Sequence, residues 1–457
     1  MNKKKRVALA IFLMALFDLL IFVCVPNEKI AQIEMNITLE SDETGDYQVF
    51  YSKDGIFSME QMQTIPYEVA GEKKVLSYVI PVDKNIWRVD FGDSAATVKV
   101  HAIELKSKGH KVELNKTALV DSLNWNGLVG ITDKDKYVEV KTTNADPRCV
   151  LNVQEVEVKQ FITNVENDVN RVKRIIACVM LDIVVFAICL LGNKIYSLIK
   201  EVFQNRKLVF KLAKNDFKTR FVGSYLGIIW AFIQPVVTVL VYWFVFQVGL
   251  RSGDVGDFPF VLWLIAGLVP WFFFQEALSS GTNALIEYQY LVKKIVFKIS
   301  TLPVVKVLSA LFVHLFFILF TLVLYSFYGY FPDLYTLQVL YYTFCAFVFA
   351  LALVYLTCSV VIFFRDITQI ISIVLQVGVW MTPIMWQVSI LPKQLIWFFK
   401  LNPMYYIVSG YRDALINKVW FWDNFYMTIW FWFITLGLFG IGTIAFKRLK
   451  VHFADVL

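Results

Sequence analysis

Lys3-Lys4-Lys5-Arg6 is followed by VALAIFLMALFDLLIFVCV, which runs from Val7 to Val25. A basic flank and then about 19 apolar residues is enough to cross a bilayer as a helix. A cleaved signal peptide would have a shorter apolar run and small residues at its cleavage site. Ile21-Phe22-Val23-Cys24-Val25-Pro26 offers bulky ones. The reading is an uncleaved anchor with its N-terminus in the cytoplasm, because cations gather on that side. Asp18 sits inside this span and Asp182 inside the next. The two carboxylates have the option of sharing a polar interface, though nothing in the sequence pairs them.

Working outward, the same apolar signal returns at Ile175–Gly192 and at roughly 226–249, 259–280, 304–328, 337–364, 368–388 and 424–446. That makes about eight transmembrane helices. Composition agrees. Of 457 residues 58% are hydrophobic, 16% aromatic and 18% charged, too apolar for a soluble chain. Residues 26–172 differ, with 17 Lys/Arg against 24 Asp/Glu, while the remainder carries 27 against 13. A mildly acidic soluble segment is thus set into a basic membrane protein. The basic excess lies beside apolar spans, so it reads as a topology signal and not as nucleic-acid binding.

Residues 26–172 alternate apolar and polar side chains over Ile33–Leu39, Tyr47–Tyr51, Lys74–Ile80, Trp87–Phe91, Thr97–Leu105 and Tyr137–Thr142, with turn residues between. This predicts an extracytoplasmic β-sandwich. Its last part, Asn152 to Asn170, reads as a final strand and a polar stalk. Arg171, Lys173 and Arg174 then stand on the outer side of the second span, against the usual charge bias. Residues 194–222 read as an amphipathic helix at the cytoplasmic interface, with Leu198, Val202, Leu208, Leu212 and Phe217 among cations. The rival reading is a basic linker that only sets topology. The domains expected are an anchor at 1–25, an outer β-rich domain at 26–172, a second span at 173–193, the interfacial helix at 194–222 and six spans within 223–457.

Several chemistries are missing. No Gly is followed by Lys, so a phosphate-binding P-loop is absent. No G-x-S-x-G or H-E-x-x-H occurs. Six Cys form no C-x-x-C pair, and four His show no metal-ligand spacing. Glu276, Glu287 and Asp366 form no evident proton relay. The expectation is transport powered by a partner, with no enzyme site, metal or cofactor in this chain.

Residues 208–457 carry a series of local patterns. Leu212-Ala213-Lys214-Asn215-Asp216-Phe217-Lys218-Thr219-Arg220-Phe221 precedes Gly223-Ser224-Tyr225-Leu226-Gly227, Trp230 and Gln234-Pro235. Gly267-Leu268-Val269-Pro270-Trp271-Phe272-Phe273-Phe274 and Leu291-Val292-Lys293-Lys294-Ile295-Val296-Phe297 follow. Phe364-Arg365-Asp366-Ile367, Met381-Thr382-Pro383-Ile384-Met385-Trp386, Asn402-Pro403-Met404 and Tyr411-Arg412-Asp413 complete the set. In this order they resemble the ABC-2 type permeases that export O-antigen, capsule and teichoic-acid polysaccharides on lipid carriers. The blocks cover about 55% of the chain. The first two spans and the outer domain are an addition to that pattern. So is a departure after Phe297, where such permeases have Pro and then a basic residue; Lys298 and Ile299 stand here.

The resemblance implies a six-helix permease core, two copies of the permease, and a separate ATPase subunit holding ATP and Mg. It implies a glycan on a polyprenyl pyrophosphate as substrate, moved across the cytoplasmic membrane. Pyrophosphate needs cations at the cytoplasmic face, for which Lys214, Lys218 and Arg220 are candidates; holding anionic lipid headgroups is their alternative role. Sugar C–H faces pack on aromatic rings, so Trp230, Trp243, Trp271, Phe272, Phe274, Trp380, Trp386 and Tyr405 are candidates for lining a conduit. Lipid-facing belts are the alternative for each. Lys293, Lys294, Val296, Phe297 and Lys298 are the candidate ATPase-coupling segment. Pro392 to Tyr411, with Trp397, Phe398, Phe399 and Tyr406, suggests re-entrant helices gating the exit. The outer domain resembles jelly-roll accessory domains of cell-surface polysaccharide enzymes over Tyr51–Ser58 and Ile86–Gly92. Trp87 and Trp125 are its candidate glycan contacts, with burial in a core as the alternative. Readings that stay open are export of drugs or lipids, a membrane glycosyltransferase with an outer lectin domain, and an envelope sensor.

Overall fold

The computed structural model describes residues 3–25, 27–115, 117–121, 123–143, 146–151, 155–220, 225, 227–251, 253–256, 258–293 and 298–457. The chain divides into two compact units, Cys24–Ile175 and Met1–Val23 with Ile176–Leu457.

The first unit is two antiparallel sheets. One joins β4 (Lys74–Pro81), β1 (Gln32–Ser41), β6 (Thr97–Ser107), β10 (Tyr137–Thr142) and β9 (Leu128–Lys134), with β7 (His110–Glu113) also on β6. The other runs β3 (Met62–Tyr67), β2 (Gly45–Ser52), β5 (Ile86–Phe91), β11 (Arg148–Val150) and β8 (Leu123–Asn126). Ile33, Met35, Ile37 and Leu39 alternate inward from β1, and Tyr47 and Val49 from β2, to form one buried core. A polar bond crosses the sandwich: the Tyr78 hydroxyl on β4 donates to the Tyr47 carbonyl on β2 at 3.1 Å. Each of the six alternating stretches read as strands is one. The missed β3 contains Pro66, which has no N–H for a ladder and so belongs on an edge, where it lies.

The final strand and polar stalk read over Asn152 to Asn170 are a correction, with 152–154 outside the described residues. Residues Glu155–Gln204 form one helix of 50 residues. Val158, Phe161 and Val165 recur at helical spacing and are buried in the sandwich core. The helix also holds the segment that leads into β1. Asn170 accepts from the Glu28 amide and donates to its carbonyl, both at 3.0 Å, and Glu166 accepts from the Ile30 amide at 2.8 Å. Lys173 pairs with Glu28, and Arg174 donates to the Val25 carbonyl and to Asn27. Two of the three cations expected on the outer side, Lys173 and Arg174, thus serve the fold.

The second unit is helical. Its longer helices, together with the two that flank the first unit, are α1 (Lys3–Cys24), α2 (Glu155–Gln204), α3 (Arg206–Thr219), α4 (Trp230–Trp243), α5 (Phe260–Thr282) and α6 (Leu302–Phe327). Then come α7 (Gln338–Val360), α8 (Ile367–Met381), α9 (Lys393–Lys400), α10 (Pro403–Arg412) and α11 (Phe425–Leu449). Among the described residues five helices are long and apolar enough to cross a membrane: Trp230–Gly249, Phe260–Thr282, Ile299–Phe327, Tyr335–Val360 and Phe425–His452. Ala10–Val23 and Ile367–Met381 are shorter apolar helices. Helix α5 is the hub, buried along most of its length against α6, α7 and α10. Asp18 on α1 lies close to Cys178 and Asp182 on α2, and both carboxylates keep one oxygen buried without a partner.

The amphipathic segment is shorter than its sequence suggested. Residues 194–204 continue α2, the chain breaks at Asn205, and α3 starts at Arg206. Val209, Ala213 and Asp216 are its buried face, and Phe210 and Phe217 both meet the Phe312 ring of α6. Asp216 lands on a closed ionic node. Lys306 of α6 donates to Asp216 Oδ1 at 2.7 Å and to Glu287, and the Tyr288 hydroxyl donates to the same Asp216 oxygen at 2.7 Å. The side chains of Lys306 and Asp216 are only 6% and 7% exposed. Burial alone would raise the Asp216 carboxyl, but the hydrogen bond and charge of Lys306, with Tyr288, outweigh it and hold it below the usual range. A depressed folded value stabilises above the unfolded value and is lost as pH falls through the folded one, so the node is intact at neutral pH.

Two outcomes follow from this packing. Lys306→Met strands a buried carboxylate and is expected to cost about 3–5 kcal/mol, seen as a lower midpoint of thermal unfolding in detergent. Adding Asp216→Asn should recover most of that loss; no recovery would mean that the lysine acts by packing alone. Gly410 on α10 is the second. A Cβ there would stand 2.0 Å from the Tyr342 ring of α7. Gly410→Ala is expected to destabilise by about 1–3 kcal/mol in the same assay.

Candidate functional site

A cavity of about 850 Å³ opens between α4, α5, α6 and α8. Its wall follows helical periodicity. Trp230, Gln234 and Thr238 recur every fourth residue on α4, and Ser372, Gln376 and Trp380 do so on α8. Helix α5 contributes Trp271, Phe272, Gln275, Glu276 and Ser279. Rings thus alternate with amides and hydroxyls. Trp271 is seated by a close approach: a Cβ on Gly378 of α8 would come within 2.9 Å of its ring. Among the described residues of the wall the formal charges belong to Arg220 and Glu276, which form an ion pair. His314 also reaches the wall, its Nε2 bonded to the Tyr411 hydroxyl at 2.9 Å.

Of the aromatic candidates the cavity gathers Trp230, Trp271, Phe272 and Trp380. Phe274 is a correction. It is 6% exposed and stacks on Phe349 at 5.4 Å, so it is part of the helical core and not of the wall. Trp243 packs against the same core from α4. Trp386 donates from its indole to the Trp380 carbonyl at 3.0 Å and meets the Phe399 ring, which ties it to α9 and away from the cavity. Tyr405 is half-buried on α10 and also stands off the cavity. Sequence reading missed Gln234, Gln275 and Gln376. Uncharged amides inside apolar helices were the available signal.

The three cations separate. Lys214 and Lys218 are exposed on the outward face of α3. Arg220, one residue past that helix, joins the cavity wall, and its backbone N–H donates to the Asp216 carbonyl at 3.1 Å. Of the coupling segment, Lys293 and Lys298 are exposed, whereas Lys294, Val296 and Phe297 lie outside the described residues. Lys293 follows the turns Ala284–Glu287 and Gln289–Val292, which bring Glu287 and Tyr288 to the Lys306 node. Lys293 and Arg220 therefore flank one shared anchor.

Pro392 to Tyr411 forms α9 and most of α10. Asn402 caps α10 by accepting from the Met404 amide at 3.0 Å and donates to Thr382 at 2.9 Å. Arg412 lies over the Trp263 ring at 3.5 Å and donates to the carbonyls of Pro383 and Ile384, each at 2.7 Å. It serves orphan carbonyls where α8 ends. In the β unit Trp87 is also a correction. It is 1% exposed and its indole donates to the Lys84 carbonyl at 2.8 Å, so it is a core residue that no glycan can reach. The side chain of Trp125 lies outside the described residues.

Comparison with known proteins places this geometry. The family model of the ABC-2 type transporter matches residues 207–416, which include α3 to α10 and the whole cavity wall. An O-antigen export system permease protein RfbA of Myxococcus xanthus is 29% identical over 217 residues, covering 47% of this chain and 82% of the relative. Two proteins of the same name from Klebsiella pneumoniae are 26% and 25% identical over 254 residues, 55% of this chain and 95% of each relative. The β unit lies outside the family match. The cavity-bearing helices of this multi-pass membrane protein belong to the ABC-2 type transporter family.

Proposed function

We propose that the chain is the permease subunit of an exporter that moves a lipid-linked polysaccharide across the cytoplasmic membrane, driven by ATP hydrolysis on a separate subunit. The observation that carries this is the cavity wall: Trp230, Trp271 and Trp380 alternate with Gln234, Gln275 and Gln376. Rings receive the C–H faces of sugars, while neutral amides trade hydrogen bonds with hydroxyls and hold none of them tightly. A drug or simple-lipid exporter has less use for so many amides. The names of the relatives point the same way.

The remaining parts take their places in that reading. A polyprenyl pyrophosphate carries the glycan and docks at Lys214, Lys218 and Arg220. An ABC ATPase subunit holds ATP and Mg and pushes on residues 293–298. Eight spans leave the β unit, residues 26–172, on the extracytoplasmic side. Membrane lipid or a second copy of the chain covers Val237, Leu240, Val241 and Phe244 of the α4 segment, which are exposed. Helices α9 and α10 gate the exit.

The test begins with co-purification alongside a candidate ATPase and hydrolysis assays in lipid nanodiscs. Lipid-linked glycan is expected to change the hydrolysis rate. No stable ATPase complex, or a response only to drugs or simple lipids, would sink the proposal. Replacing Trp230, Trp271 and Trp380 together by Ala is expected to lower export at least about tenfold, since each lost ring contact is worth on the order of 1 kcal/mol. The complex should still assemble. Undiminished export by the assembled triple variant would remove the rings from the path.

A further inference from the structure

Two ion-pair systems lie near the end of α3, and they differ in one respect. The Lys306 node is closed, with Lys306 and Asp216 almost wholly buried. The Arg220–Glu276 pair is open: its side chains are 29% and 41% exposed, and both residues line the cavity. Their backbones are nonetheless fixed. The Arg220 amide is bonded to Asp216, itself locked in the node, and Glu276 lies within the buried helix α5, where Ser280 donates to its carbonyl at 2.8 Å. Two anchored residues therefore present half-exposed charged ends to a wall that is otherwise neutral among the described residues.

An exposed pair of this kind shifts an equilibrium by a factor of about five at most. A diphosphate offers a guanidinium more acceptor oxygens and more charge than one carboxylate does. A diphosphate at the cavity would therefore displace Glu276 from Arg220. We infer that Glu276 is a placeholder for the substrate's diphosphate: it neutralises Arg220 while the cavity is empty and competes with the lipid diphosphate for it. This rests on the reading of Arg220 as a diphosphate contact. It adds a residue that tunes affinity downward, so that the head group is released after it is bound. The ligand class is an isoprenoid diphosphate ester.

The experiment measures binding of a sugar-free polyprenyl diphosphate to the full chain, in complex with its ATPase, in phosphatidylcholine nanodiscs. Glu276→Gln keeps shape and removes charge, at a half-exposed site where folding is not at stake. It is expected to tighten binding about fivefold. Arg220→Gln is expected to weaken binding about tenfold or more, and Arg220→Gln with Glu276→Gln should match Arg220→Gln alone, because a competitor has no effect once its target is gone. Unchanged or weaker binding in Glu276→Gln, with Arg220→Gln still weakened, overturns the placeholder and leaves the docking of diphosphate at Arg220 standing. If neither variant moves binding, the docking reading fails and the inference fails with it. If phosphatidylglycerol nanodiscs abolish the difference between wild type and Glu276→Gln, the pair serves ordinary lipid headgroups, which also overturns it.

Discussion

A lysine buried among apolar helices must be neutralised where it stands, and Lys306 imposes that condition on its surroundings. Asp216 from α3 and Glu287 from the turn after α5 meet its ammonium, and the Tyr288 hydroxyl donates to the same Asp216 oxygen that Lys306 holds. The consequence is geometric. Three segments far apart in sequence are fixed at one point, and each leads somewhere. Helix α3 leads four residues on to Arg220 at the cavity. The turn leads to Lys293. Helix α6 leads to His314 in the cavity wall. Lys293, Arg220 and His314 are thus each a few residues of chain from one buried anchor.

The cavity itself exists because α5 is packed on nearly every side yet keeps one face for α4 and α8. Close packing of glycine against a large ring recurs around it. Gly378 takes Trp271, and Gly410 takes Tyr342. A methyl group at either place would push a ring from its seat. Arg412 does the complementary task with hydrogen bonds, holding the Pro383 and Ile384 carbonyls after α8 breaks. Its charge is spread over the Trp263 face, which eases its burial.

Much of the architecture was legible because its signals are local. Alternation marked β1, β2, β4, β5, β6 and β10, and long apolar runs marked the helical unit. The start of α2 was harder to read. Val158, Phe161 and Val165 lie in so polar a setting that the segment looks like a stalk, and only the sandwich they cover reveals the stripe. The break at Asn205 left no sequence signal beyond a polar residue among cations. At the site, residue type did not assign position. Trp230 and Phe274 are both aromatic residues in family blocks, but one lines a cavity and the other stacks in a core, because which side of a helix faces a gap depends on its neighbours. The same limit applied to Trp87, whose strand could present it to either face until pairing set the register. Gln275 and Gln376 lie in no quoted block and Gln234 was read only as part of one, so only the cavity unites the three amides.

The contrast between the two ionic arrangements has a physical logic. A group that must hold elements together is best buried and fully paired, since breaking it then leaves a charge stranded. A group that must exchange partners has to keep its pairing weak, and solvent does that by screening. Lys306 meets the first requirement and Arg220 the second, although Asp216 links them through four residues of chain. Were Arg220 buried like Lys306, it would hold its carboxylate too firmly to give it up; were Lys306 exposed like Arg220, nothing would keep Arg220 at the cavity. Burial, more than charge, therefore divides anchor from exchange site in this protein.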